Sequence, residues 1–158
     1  MQGGRVLMKS ALLEKIRVEL KASLERLTKA ALDAHPAATD PGSKAESKYD
    51  TRSLEASYLA AGQARHVDEL AEAVRIFEAL RLPEFSADDA IDAGALVELE
   101  IRGETSLLLL VPAAGGMVIE ENGQQITLLT PASTLYQKLS GMRQGDLLGD
   151  GILVVEVR

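Results

Sequence analysis

The chain has 158 residues, 46% of them hydrophobic but only 3% aromatic, with no cysteine and no tryptophan. It therefore folds around aliphatic side chains, and disulfides, thiolate metal sites, a cysteine nucleophile and a large aromatic-lined pocket are excluded. The net charge of −7 is uneven: residues 1 to 83 sum to +1 and residues 84 to 158 to −8, so the second half repels phosphate backbones and suits a basic protein surface.

No apolar run reaches the ~20 residues of a membrane span, and MQGGRVLMKS lacks the apolar core of a secretory signal. A cytoplasmic protein that binds no membrane is expected, with Met8 a second candidate start. From Lys9 to about Asp33, Leu13, Ile16, Leu20, Leu24, Leu27 and Ala31 recur at spacings of three and four, which predicts a helix with one apolar stripe. Pro36, Pro41 and Gly42 in HPAATDPGS are expected to stop it. Ser43 with Glu46 forms a capping-box pattern, and a second helix is expected from there to about Leu82, before Pro83. Its near-heptad stripe is Tyr49, Ala56, Ala60, Gln63, Val67, Leu70, Val74 and Phe77.

Two striped helices joined by a short loop pack antiparallel, since neither buries its stripe alone. Residues 9–83 are thus read as an antiparallel coiled-coil hairpin with its tip at 34–48. A second helix of about 60 Å would project beyond a compact domain of this size.

After LPEFSADDAIDAG the apolar period shortens to near two. ALVELEIRG, TSLLLLVPA, GMVIEENGQQITLL and GILVVEVR read as strands, with a hairpin turn at Glu121-Asn122-Gly123 and LLLLV as a central strand covered on both faces. Between them one short helix is capped by Ser133, buries Leu135 and Leu139, and stops at Gly141. The fold class is α+β, with 84–158 a small antiparallel sheet domain carrying one helix.

Several residue groups invite chemistry and are better explained otherwise. His35 and His66 stand far apart without a cysteine, and both read as surface histidines. Ser133 has no evident base beside it, and capping accounts for it. Ala113-Ala114-Gly115-Gly116 lacks the lysine of a phosphate loop and reads as a turn.

The segment TPASTLYQKLSGMRQGD resembles the C-terminal signature SpxLxxxLxGxxxGD of the bacterial Gre-type transcription elongation factors. Ser133, Leu135, Leu139, Gly141, Gly145 and Asp146 stand at its positions, and Thr134 replaces the proline common after the serine. SKYDTRSLEASYLAAGQARHVDELAEAV is similar to the family's second coiled-coil helix. The resemblance implies an FKBP-like C-terminal domain that binds RNA polymerase, and a coiled-coil tip that enters the secondary channel. There two acids help hold a catalytic magnesium ion while the polymerase cleaves backtracked RNA; oxygen ligands are what magnesium prefers.

The tip departs from that pattern. Aligning the family's tip tyrosine with Tyr49 puts Gly42 and Ala45 at the two acid positions, and neither has a side chain that binds metal. Asp40, Glu46 and Asp50 lie nearby as weak metal candidates, beside the basic stripe Lys44, Lys48 and Arg52. As charges that support a helix start and solvate a tip they are fully explained.

The expectation is a Gre-like regulator without catalytic residue, metal or cofactor, a monomer or weak dimer that recognises no nucleic-acid sequence. Its partner is RNA polymerase, contacted through tip residues Asp40, Lys44, Glu46, Lys48, Tyr49, Asp50 and Arg52 and domain residues Ser133, Arg143 and Asp146. Three alternatives stand beside it: a true cleavage factor using shifted tip acids, a nucleoside-diphosphate-kinase-regulator-type protein, and a structural coiled-coil dimer. Prolyl isomerisation is discounted, since the second domain's only aromatic residues are Phe85 and Tyr136.

Overall fold

A computed structural model describes residues 8–39, 51–149 and 151–158, without the side chains of 34–39 and 51–60. Its elements in chain order are α1 (Lys9–Thr39), α2 (Thr51–Ala79), β1 (Leu96–Ile101), β2 (Glu104–Leu110), β3 (Val118–Glu121), β4 (Gln124–Leu129), α3 (Thr134–Leu139), β5 (Leu147–Leu148) and β6 (Ile152–Val157). The α+β class holds.

Helix α1 does not stop near Asp33. It continues through His35 and Pro36 to Thr39, because alanines on both sides of the proline favour helix and the proline deletes only one backbone hydrogen bond close to the helix end. His35 is accordingly a helical residue rather than a loop residue. The expected start of the second helix at Ser43 lies outside the described residues. Its end is Ala79 rather than Leu82, consistent with the pull toward extended backbone ahead of Pro83.

The six strands form one sheet in the order β3-β4-β2-β1-β6-β5. The expected antiparallel sheet is in fact mixed. β1 pairs antiparallel with β2 and β6, and β3 with β4, but β2 and β4 run parallel from Leu107↔Ile126 to Leu110↔Leu129. The Glu121-Asn122-Gly123 turn forms, with Asn122 and Gly123 both at positive φ, and Arg102-Gly103 makes the same kind of turn between β1 and β2. The two-residue strand β5 has no counterpart in the sequence reading.

LLLLV is a central strand buried on both faces, as its composition predicts. On one face Leu108 and Leu110 pack with Val97, Leu99, Val154, Val157, Ile91 and Leu139 of α3. Strand alternation puts Leu96, Leu107, Leu109, Ile119, Ile126 and Leu128 on the other face, and all six are buried. The first turns of α1 cross that second face. Lys15 Nζ donates to the Glu120 main-chain oxygen on β3, while Lys9 Nζ reaches the main-chain oxygen of Arg158 after β6. Leu12 and Ile16 between them are fully buried, as is Phe77 from the end of α2.

The chain divides into two compact units. One holds the described residues of Met1–Ile16 and Ile76–Arg158, the other Arg17–Arg75. In the helical unit Leu20 and Ala73 are buried, and Leu24, Leu27 and Ala31 of α1 with Gln63, Val67, Leu70 and Val74 of α2 are half-buried. All but Ala73 are stripe positions read from the sequence; Ala73 lies beside the stripe residue Val74. Val18 and Leu32 are the apolar exceptions on the exposed side of α1.

Candidate partner-binding surface

Of the tip residues, Asp40, Lys44, Glu46, Lys48, Tyr49 and Asp50 lie outside the described residues, and Arg52 is described only as helical backbone in α2. The C-terminal candidates Ser133, Arg143 and Asp146 all fall in the sheet unit, around α3 and the turn that follows it.

The six signature residues of the TPASTLYQKLSGMRQGD segment each have a definable local task. Ser133 takes extended backbone, and its hydroxyl accepts from the Tyr136 N–H at 3.4 Å, capping α3. Leu139 is fully buried and Leu135 packs partly buried against the same core. Gly141, at φ +88, ends the helix, and its N–H donates to Ile91 O at 2.8 Å while Ile91 N–H returns a bond to Met142 O at 2.7 Å. This pair fastens α3 to the segment leading into β1.

The next four residues make a turn closed at both ends. Asp146 Oδ2 accepts from the Arg143 N–H at 2.8 Å, and Arg143 O accepts from the Asp146 N–H at 3.0 Å. Gly145, at φ +92, donates to Val154 O at 2.7 Å, and Val154 N–H donates to Asp146 O at 2.9 Å. The Arg143 and Asp146 side chains are thereby held at the surface on a rigid turn beside Leu147, which is 69% exposed. Ser133 is committed to its cap. The structure brings Arg143 and Asp146 together, and places Ser133 at the far end of α3.

The segment 84–158 that carries this turn holds 12 Asp/Glu against 4 Lys/Arg. Glu98 and Glu156 face each other across β1 and β6, and Glu100 stands opposite Leu153. Arg158 Nη2 bonds Glu156 Oε1 at 2.9 Å; that bond, helped by charge attraction, holds the Glu156 carboxyl below its usual range. Tyr136 on α3 is pushed up, first by burial and then by the Asp92 carboxylate. Among the described residues no group of three or more His, Cys, Asp or Glu is placed to hold a metal ion, and no helix is long and apolar enough to cross a membrane.

One polar residue central to this unit was missed in the sequence. Lys9 is only 5% exposed. Its Nζ donates to Pro83 O at 2.5 Å and Arg158 O at 2.8 Å, and stands 4.9 Å from the centre of the Phe85 ring. Burial lowers its pKa from 10.5 to about 8, against the opposing pull of Glu84. The available signal was spacing: Lys9 lies four residues before Leu13, on the apolar stripe itself.

No family model matches the sequence, and no curated protein matches it. Solved structures do resemble it. The GreA factor homolog 1 (Gfh1) of Thermus thermophilus is 22% identical, with 90% of this chain and 94% of that chain covered and a TM-score of 0.37. A further structure of the transcription factor Gfh1 is 23% identical, covering 89% and 92% at a TM-score of 0.37. Gfh1 of Thermus aquaticus is 24% identical, covering 88% and 91% at a TM-score of 0.36. No residue of this chain takes a role from these likenesses.

Proposed function

We propose that this chain is a Gre-like regulator of transcription that docks on RNA polymerase through its acidic sheet unit and presents an antiparallel coiled coil formed by α1 and α2. The C-terminal unit is FKBP-like in this reading. The observation that carries it is the behaviour of the signature segment. All six residues matching the Gre-type pattern perform the cap, core, stop and turn tasks that such a pattern encodes, and the segment ends by holding Arg143 and Asp146 on an exposed turn of a unit rich in carboxylates. An acidic module of this kind favours a basic protein partner over nucleic acid.

The protein modulates the polymerase without supplying cleavage acids, since Gly42 and Ala45 stand where the family's pattern has its two carboxylates. The deciding experiment adds the full chain to stalled, backtracked elongation complexes with magnesium, and measures both binding and short 3′ RNA products. Binding without cleavage is the expected result. Cleavage that disappears on Glu46→Ala or Asp50→Ala would replace this reading with a true cleavage factor, and absence of any polymerase binding would end both.

A further inference from the structure

We propose that the notch between the β1–β2 and β3–β4 hairpins binds a short, uncharged, extended peptide segment of a partner protein, a site separate from the signature turn. The notch follows from the topology. β2 and β4 pair in parallel only from Leu107↔Ile126 onward, because upstream of that point each belongs to its own hairpin and the two hairpins diverge. Between them lies a cleft of about 430 Å³ walled by Thr105, Ser106, Gln124, Gln125 and Thr127, with Leu107 and Leu108 at its closed end. That volume is within the ~300–1,000 Å³ of ligand pockets and accommodates a few small residues.

The backbone supplies the recognition chemistry. In a β2 flanked on both sides, bonding direction alternates along the strand. Leu110 exchanges bonds with the β1 side, its C=O accepting from the Gly94 N–H and its N–H donating to Ala95 O, whereas Val111 donates to Leu129 O. Odd-numbered residues of β2 therefore face β4, and Thr105 turns both its N–H and its C=O toward a strand that has diverged. By the same alternation Gln125 turns its N–H toward β2. These are strong hydrogen-bonding groups with no ladder partner, at strand spacing, and a third extended segment is their complement. A further acceptor points the same way: Gln124 Oε1 in the cleft wall is buried and has no hydrogen-bond donor.

The lining also rejects other ligands. It holds no Lys or Arg for phosphate, no carboxylate for a cation and no aromatic ring for a base or sugar, only hydroxyls, amides and leucine. The outer edge of the sheet at β3 is a poorer site, since Lys15 already occupies the Glu120 main-chain oxygen there.

The test is a titration of the ¹⁵N-labelled full chain with the capped peptide acetyl-Ser-Val-Thr-Val-amide, followed by amide chemical shifts. Saturable shifts at Thr105, Ser106, Gln125 and Thr127 are expected, with the Thr105 and Gln125 protons moving downfield as they gain acceptors. The same peptide N-methylated at alternate amides cannot complete the ladder and should bind about tenfold more weakly. Thr105→Pro, which removes the inward N–H, should lose affinity similarly; should it fail to fold, the methylated peptide decides alone. Shifts that do not saturate, equal binding of the methylated peptide, shifts at Val118 and Glu120 instead, or concentration-dependent shifts without peptide would each overturn the proposal. No polymerase enters this assay, so its outcome is independent of the transcription reading.

Discussion

Lys9 sets up a pH dependence of stability whose sign runs opposite to that of a lysine in an ordinary ion pair. Its pKa falls from 10.5 in an unfolded chain to about 8 in the fold, so between those values the unfolded state holds a proton that the native state has released. Stability then rises with pH across that window, by up to about 3 kcal/mol for a drop of this size. The geometry allows the release. A neutral amine keeps two N–H donors, and the two acceptors present are Pro83 O and Arg158 O; below pH 8 the extra proton puts charge beside the Phe85 ring. The measurement is urea unfolding followed by circular dichroism at pH 6, 6.5, 7, 8, 9, 10 and 10.5, for the wild type and Lys9→Met. The stability difference, wild type minus variant, should climb from pH 8 to 10.5 and stay flat below pH 7. Subtracting the variant removes the other groups that titrate in the window, Tyr136 among them. A difference that is flat throughout, or that falls as pH rises, would refute the reasoning.

Three further outcomes are expected. Gly94, at φ +91, has a missing Cβ that would sit 2.6 Å from Pro83 Cδ, whereas Gly103, at φ +84, has open space; Gly94→Ala should cost well above the ~1–2 kcal/mol of left-handed strain alone and Gly103→Ala about that amount, read as shifts in thermal midpoint. Leu139→Ala should destabilise by about 2–5 kcal/mol because the side chain is fully buried, against about 0.5–1 kcal/mol for Ser133→Ala, whose capping bond is long at 3.4 Å. Ultraviolet titration should show Tyr136 ionising above the ordinary tyrosine value, so Tyr136→Phe should remove a component from the high-pH end of the curve; its loss from the middle would contradict the burial of the ring.

The hairpin turns, the central placement of LLLLV and the capped helix α3 were legible because each rests on a local rule: Gly at positive φ, an uninterrupted apolar run, a serine three residues before the N–H it binds. The parallel pairing of β2 with β4 was not. Alternation says which face a side chain takes, but partner direction depends on which strand is buried, and β4 displaces β3 from β2 because QQITLL buries Ile126 and Leu128 while VIEE buries only Ile119. Pro36 misled for a similar reason, since its local penalty is one hydrogen bond and the surrounding alanines outweigh it. In the candidate site, the turn that holds Arg143 and Asp146 was foreshadowed by the spacing of Gly141 and Gly145. The burial of Lys9 was not, because its two acceptors lie 74 and 149 residues away.

Those separations bear on the order in which the molecule assembles. The helical unit, Arg17–Arg75, is continuous in sequence and can close as soon as it leaves the ribosome. The sheet unit cannot: β1 needs β6 beside it, Leu96 and Arg158 exchange two main-chain bonds at 2.9 Å, and the oxygen that anchors Lys9 belongs to residue 158. Until that residue is made, the first two turns of α1 have no finished sheet to lie against, and β1 keeps an open edge. Long-range closure of this kind slows folding and prolongs exposure of unpaired strand, so the sheet unit is where premature termination of synthesis would leave the chain most prone to aggregate.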